Sequence, residues 1–130
     1  MLDGPARTPA GRQLRIWGQN LNKSLKAQTD FNNHLSPHYF DFALIQEPCC
    51  DFRGLSRVNR DWVAIYPPSH AKNQRATRSM IMVNKRLPSS TWNVVPIDSP
   101  YLTAVEIFGP AFGTVRIINV YNDCDHNEAI

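Results

Sequence analysis

Two polar side chains stand at the carboxyl ends of strands expected to be buried. Asn20 follows the alternating stretch Leu14-Arg15-Ile16-Trp17, and Glu47 follows the apolar run Phe42-Ala43-Leu44-Ile45. Between them Leu25, Thr29, Phe31 or Asn32, and Leu35 recur at helical spacing. Strand, helix, strand is a βαβ unit, whose parallel strands lie side by side and end at one rim of the sheet. Open α/β sheets bind ligands at that rim. A carboxylate beside a carboxamide oxygen is a minimal kit for Mg²⁺, which keeps several waters and takes one or two carboxylates plus substrate phosphate. The blander alternative is a glutamate that ends a strand in solvent. Tyr121 closes the last apolar strand, where its hydroxyl could hold a phosphate oxygen or orient a nearby acid. A half-buried strand tyrosine is the commoner role.

The chain carries 14 basic and 11 acidic residues, a formal charge of +3. That surplus is mild, but its placement is uneven. Residues 63–97 contain no Asp or Glu, whereas Lys72, Arg75, Arg78, Lys85 and Arg86 all fall inside that window, with His70 beside them. A one-sign segment of this length suits contact with a polyanion such as nucleic acid, although a solvated loop flank has the same composition. Cys49, Cys50, Cys124 and His126 raise the question of zinc. Adjacent cysteines cannot easily face one tetrahedral ion, and no Cys-x-x-Cys spacing exists. Glycine-rich phosphate loops and a Gly-x-Ser-x-Gly elbow are absent as well.

A length of 130 residues fits one domain, and an apolar share of 42% can build a core. Residues 1–13, with Gly4, Pro5, Pro9 and Gly11, read as a flexible lead-in. The helix begins near Lys23 and stops at Ser36-Pro37; the strand over 40–47, with its apolar middle, is expected to be buried on both faces. Residues 49–61 are loop-like, and shorter strands follow at 62–66, 79–84, 91–97, 103–108 and 114–121, punctuated by prolines. The expected class is α/β (α+β), with about seven strands, one long helix and antiparallel neighbours in the later part. The polar stretch Asn122-Asp123-Cys124-Asp125-His126 reads as the opening of a further loop, so 14–130 is expected to be a truncated domain. No apolar run approaches the ~20 residues that span a bilayer, and no signal-like apolar segment opens the chain. The expected setting is intracellular, nuclear or cytoplasmic, and not secreted.

Three motifs occur in order: Gln19-Asn20-Leu21-Asn22-Lys23-Ser24, Leu44-Ile45-Gln46-Glu47-Pro48, and Ile118-Asn119-Val120-Tyr121-Asn122. Together they resemble the start of the endonuclease/exonuclease/phosphatase superfamily. More closely, the chain is similar to the endonuclease domain of non-LTR (LINE-type) retrotransposon polyproteins, and the Arg-Ser-x-Ile-x-Val-Asn-Lys-Arg run ending at Arg86 adds to the likeness. The resemblance implies the N-terminal half of a four-layer α/β sandwich that hydrolyses DNA phosphodiesters with Mg²⁺ or Mn²⁺. It implies Asn20 and Glu47 as metal-site residues, Tyr121 as the tyrosine that helps hold the scissile phosphate, and Asn22 as a neighbour of the metal or phosphate. Implied partners are DNA and a reverse transcriptase domain in the same polyprotein.

The family's later Gly-Asp-x-Asn and Ser-Asp-His motifs do not occur in this chain. In-line attack on a phosphodiester needs an activated water and a stabilised leaving oxygen, and the residues present supply the metal end alone. The expectation is a domain fragment with little or no nuclease activity, its second sheet largely missing and an apolar sheet face open to self-association. Alternatives are a phosphoesterase of the same superfamily acting on small phosphoesters, a non-catalytic nucleic-acid-binding module, and a relic reading frame.

Overall fold

Seven strands and one α-helix form, in a computed structural model that describes residues 13–110 and 113–122. The alternating N-terminal stretch becomes β1 (Ile16–Asn20), which feeds the helix α1 (Leu25–His34) and then β2 (Phe42–Gln46). β3 (Trp62–Ile65), β4 (Ser79–Asn84), β5 (Trp92–Val95), β6 (Leu102–Gly109) and β7 (Gly113–Val120) follow. The strands make two sheets, ordered β1-β2-β4-β3 and β5-β6-β7. β1 and β2 are parallel, as a crossover helix requires, and the other pairings are antiparallel.

The register explains which side chains are buried. Ala43 and Ile45 of β2 pair with Met82 and Met80 of β4, and this face packs under α1 with Leu21, Phe31 and Leu35. Phe42 pairs with Val83, and that opposite face meets Val105, Ile107 and Ile117 of the second sheet. β4, covered on both sides, is buried at all six positions. The result is a helix layer, a four-stranded sheet and a three-stranded sheet. The expected fold class holds.

Three expectations need correction. β1 is an edge strand, exposed at every position, so Asn20 does not end a buried strand. The helix buries Gln28 and Phe31, whereas Leu25 is 51% exposed. Gln28 is inside because its carboxamide is satisfied: Nε2 donates to Arg57 O at 3.0 Å, and Oε1 accepts from Cys49 N at 3.2 Å. Finally, the first sheet is not left bare, since β5, β6 and β7 supply a second sheet that covers its inner face. Among the described residues, Ile118 and Val120 stay exposed on the outward face of β7, and the edge strands are β1 and β3 in the first sheet and β5 and β7 in the second. The lead-in and residues 123–130, with Cys124 and His126, lie outside the described residues. No helix among the described residues is long and apolar enough to cross a membrane.

Ser24 starts the helix: its extended backbone and Oγ, which accepts from Ala27 N at 3.1 Å, satisfy one of the free amides of the first turn. Ser24→Ala is therefore expected to cost about 1 kcal/mol in urea unfolding. Ser24→Asp should stay within roughly 0.5 kcal/mol of the parent, because aspartate caps equally well.

Candidate functional site

The strand ends gather at one rim. Asn20, Gln46 and Ser79 are register partners across β1, β2 and β4, which makes a polar row at the end of an otherwise apolar inner face. Glu47 comes immediately after. The chain around it is held by backbone bonds: Leu21 N donates to Gln46 O at 2.9 Å, Lys23 N to Glu47 O at 2.8 Å, and Glu47 N to Arg78 O at 2.8 Å. Among the described residues the non-glycine positions with positive φ are Asn22 (53°), Lys23 (56°) and Glu47 (52°), all at this rim. Left-handed backbone costs L-residues on the order of 1–3 kcal/mol each, and it persists only where the surroundings impose it.

A second polar layer sits below and ties the sheets together. Asn119 is buried in β7, and its Nδ2 donates to Ile45 O at 2.8 Å and Met80 O at 2.9 Å, one carbonyl from each central strand of the first sheet. Ser79 Oγ donates to Asn119 O at 3.0 Å and lies 2.7 Å from Thr103 Oγ1. Gln46 Nε2 donates to Val120 O at 3.1 Å. Two residues beyond Asn119 the chain reaches Tyr121, whose backbone N donates to Tyr101 O at 2.9 Å and whose ring lies 5.9 Å from that of Tyr101. Tyr101 in turn follows Pro100, whose carbonyl accepts from Arg78 N at 2.8 Å. Asn20, Glu47 and Tyr121 thus share one end of the molecule. The sequence reading missed Asn119 as the residue that fixes this arrangement; its signal was a carboxamide on the inward register of an apolar strand.

The donor set is sparse. Glu47 is half-buried, and its carboxylate makes no ion pair among the described residues. Asn20 Oδ1 accepts from Asn22 N at 2.8 Å, which leaves its second lone pair available. No group of three or more His, Cys, Asp or Glu that could hold a metal occurs among the described residues. One carboxylate and one or two amide oxygens suit a largely hydrated Mg²⁺ and not a closed protein cage.

No family model matches the sequence, and no curated protein matches it at a significant level. Among solved structures, the endonuclease domain of TRAS1, a telomere-specific non-LTR retrotransposon, superposes with a TM-score of 0.60 at 18% identity. The match covers 85% of this chain and 45% of that one. The chain shares that endonuclease fold. It spans under half the length of the TRAS1 structure.

On this fold the five basic residues do not form one stripe. Arg75 and Arg78 stand near Lys23, whose Nζ donates to Arg75 O at 3.0 Å, on the Glu47 side. Lys85 and Arg86 sit at the far end of β4, beside Pro37, His38 and Asp61. Six strand residues lie between Arg78 and Lys85, a separation of about 24 Å over seven steps of ~3.4 Å. Lys72 is exposed after the turn at Pro68–Ala71. His70 does not join that surface: it is buried, with Nδ1 2.6 Å from Thr77 Oγ1 and Nε2 2.5 Å from Gly54 O, stacked on Tyr66. Burial, helped by the Arg78 charge, lowers the pKa of Lys23 from the ordinary lysine value. Burial also raises that of the Cys50 thiol, with the neighbouring Cys49 and Asp51 acting in the same sense. Little Cys50 thiolate forms at neutral pH, and iodoacetamide should label it several-fold more slowly than a free thiol, with the rate rising through alkaline pH.

Proposed function

We propose that this chain is the metal-binding half of a divalent-cation-dependent phosphodiesterase acting on DNA, of the kind that nicks target DNA for a retrotransposon. The observation that carries this reading is the gathering of the Asn20, Glu47 and Tyr121 strand ends at one rim, with strained backbone at Asn22, Lys23 and Glu47. Strain concentrated at one end of a sheet, where such folds bind ligands, is what a prepared site looks like. Glu47, with Asn20 and with Asn22 alongside, would hold Mg²⁺ or Mn²⁺. The bound cation supplies charge that offsets the negative charge developing on phosphoryl oxygens. Tyr121 would hold a phosphate oxygen by its hydroxyl, and Arg75 and Arg78 would draw the DNA backbone towards Glu47. Lys72, Lys85 and Arg86 belong to this proposal only as outlying phosphate contacts.

The free edges of β1 and β7 open on the same side, because β7 lies over β2 and β4. Unpaired edges beside exposed Ile118 and Val120 favour self-association of the isolated chain. In a complete element, a reverse transcriptase domain of the same polyprotein would share the chain, in a nuclear or cytoplasmic setting. The isolated chain is expected to turn over little or no DNA, since the roles proposed for Asn20, Glu47 and Tyr121 are to hold metal and phosphate and not to activate the attacking water.

Mn²⁺ binding followed by electron paramagnetic resonance tests the site. Glu47→Gln keeps the shape and removes the charge, and it should weaken binding at least tenfold with the melting temperature little changed. Equal affinity in parent and variant would place the metal elsewhere. In a plasmid-nicking assay with Mg²⁺, turnover by the parent that Glu47→Ala abolishes would contradict the expected inactivity while supporting the site.

A further inference from the structure

Just beyond Glu47 and Pro48 the chain builds a densely hydrogen-bonded loop. Asp51 Oδ1 accepts from Arg53 N at 2.8 Å and Leu55 N at 3.1 Å, and Arg53 Nη2 closes an ion pair with Asp51 Oδ2 at 2.8 Å. The Arg53 side chain, and then the Leu55 amide, hold the Asp51 carboxyl below the usual carboxylate range. Gly54 is left-handed at φ 79°, and Gln74 packs where a Cβ would stand. Cys50 and Ser56 form an isolated bridge, Ser56 Oγ donates to Cys49 O at 2.9 Å, and Ser56 N donates to Tyr66 Oη at 2.7 Å. Buried His70 fastens Gly54 from beneath. This bracing presents one apolar side chain to water. Phe52 is 96% exposed, the most exposed large apolar residue described.

Phe52 lines a groove of about 490 Å³ together with Lys23, Cys50, Gln74, Arg75 and Thr77. The acid in the groove, Asp51, is neutralised by Arg53, whose guanidinium also stands 5.9 Å from the Phe52 ring centre. The remaining charges there, Lys23 and Arg75, are positive. An apolar ring held out on a hydrogen-bonded loop, with cations lining the same groove, complements a ligand that is flat, aromatic and polyanionic. Nucleic acid meets that description; a protein partner would match the ring without requiring the cations.

We propose that this groove is a nucleobase-stacking subsite, in which Phe52 stacks on an unpaired or displaced base and Lys23 and Arg75 take the flanking phosphates. The proposal rests on the nucleic-acid reading above and deepens it. The subsite orients single-stranded or locally opened DNA beside Glu47, and stacking makes it tolerant of sequence, because every base has a π-face.

The test uses the full chain, a fluorescein-labelled mixed-sequence 20-nucleotide single strand, and a second strand of equal length containing abasic sites only. Phe52→Ala should weaken binding to the base-bearing strand about tenfold without changing the salt slope, and should leave the abasic strand unaffected. Phe52→Trp should restore affinity, with indole emission quenched on binding. Arg75→Ala should instead weaken both strands and reduce the salt slope by roughly 0.7, one phosphate contact on a single strand. Because Phe52 lies in solvent, unchanged melting temperatures should accompany all three. If Phe52→Ala binds both strands like the parent while Arg75→Ala does not, the stacking subsite is refuted, the nucleic-acid reading stands, and the ring is left to a protein partner. If the parent binds neither strand at low salt, both readings fall.

Discussion

Replacing Asn119 by alanine is expected to lower the unfolding free energy by about 3 kcal/mol, because two buried hydrogen bonds between the sheets are lost at once and the space of a buried carboxamide is left empty. Ile45 O and Met80 O lie on adjacent central strands, and Asn119 Nδ2 serves both from the other sheet. Ile45 and Met80 also pair with each other in the β2–β4 ladder, so the cost is that of the lost links between the sheets and of the space left behind. For a domain of this size such a loss corresponds to a fall in melting temperature on the order of 10–15 °C. Thr103→Ala and Ser79→Ala each remove one hydroxyl from the Ser79–Thr103 pair, so together they should cost less than the sum of the separate losses. A thermal melt of Asn119→Ala within about 2 °C of the parent would show that this layer does not join the sheets. Since Tyr121 lies two residues further along the same strand end, Asn119→Ala should also weaken phosphate and Mn²⁺ binding under conditions where the variant remains folded.

Phe42→Ala is expected to be at least as damaging, by about 4 kcal/mol, from lost burial and from the cavity left between close-packed sheets. Phe42 is fully buried, with Ile81 and Val83 beside it and Val105, Ile107 and Ile117 facing it. Its neighbours sit on rigid strands of two sheets, so the space cannot close by a local shift. Phe42→Leu keeps most of the volume and should cost roughly 1.5 kcal/mol. The comparison with Val105→Ala, on the opposing sheet, decides whether the sheets unfold as one unit. Both variants should give a single urea transition, coincident by far-ultraviolet circular dichroism and tryptophan fluorescence. Two separated transitions would mean that the first sheet with its helix is stable without the second.

How far the site could be read from sequence differs from residue to residue. Asn20 and Glu47 were legible as strand ends because apolar runs stop at them, and a crossover helix obliges the strands to run parallel. The strained backbone at Glu47 was not legible, since φ there is imposed by Arg78 O and Lys23 N, whose segments are remote or turn back in space. The charge run over 63–97 suggested one basic surface. The structure divides it, because β4 passes through the middle of the run and carries Lys85 and Arg86 to the far end of the sheet. His70 lies beside these cations in the sequence, and composition does not reveal that its ring has two polar partners and a stacking face inside.

Local pattern by itself determined the number and kind of elements. Apolar periodicity and prolines depend on near neighbours, and they place seven strands and one helix within a few residues of where they form. Tertiary structure alone decided that β1 is an exposed edge, that Gln28 rather than Leu25 faces inward, that Asn119 fastens one sheet to the other, and that Phe52 stands in water beside Lys23 and Arg75. The physical reason is that edges, buried hydrogen bonds and grooves are properties of pairs distant in the chain. Their energy comes from which groups lose water together, and only the packed arrangement of the two sheets settles that.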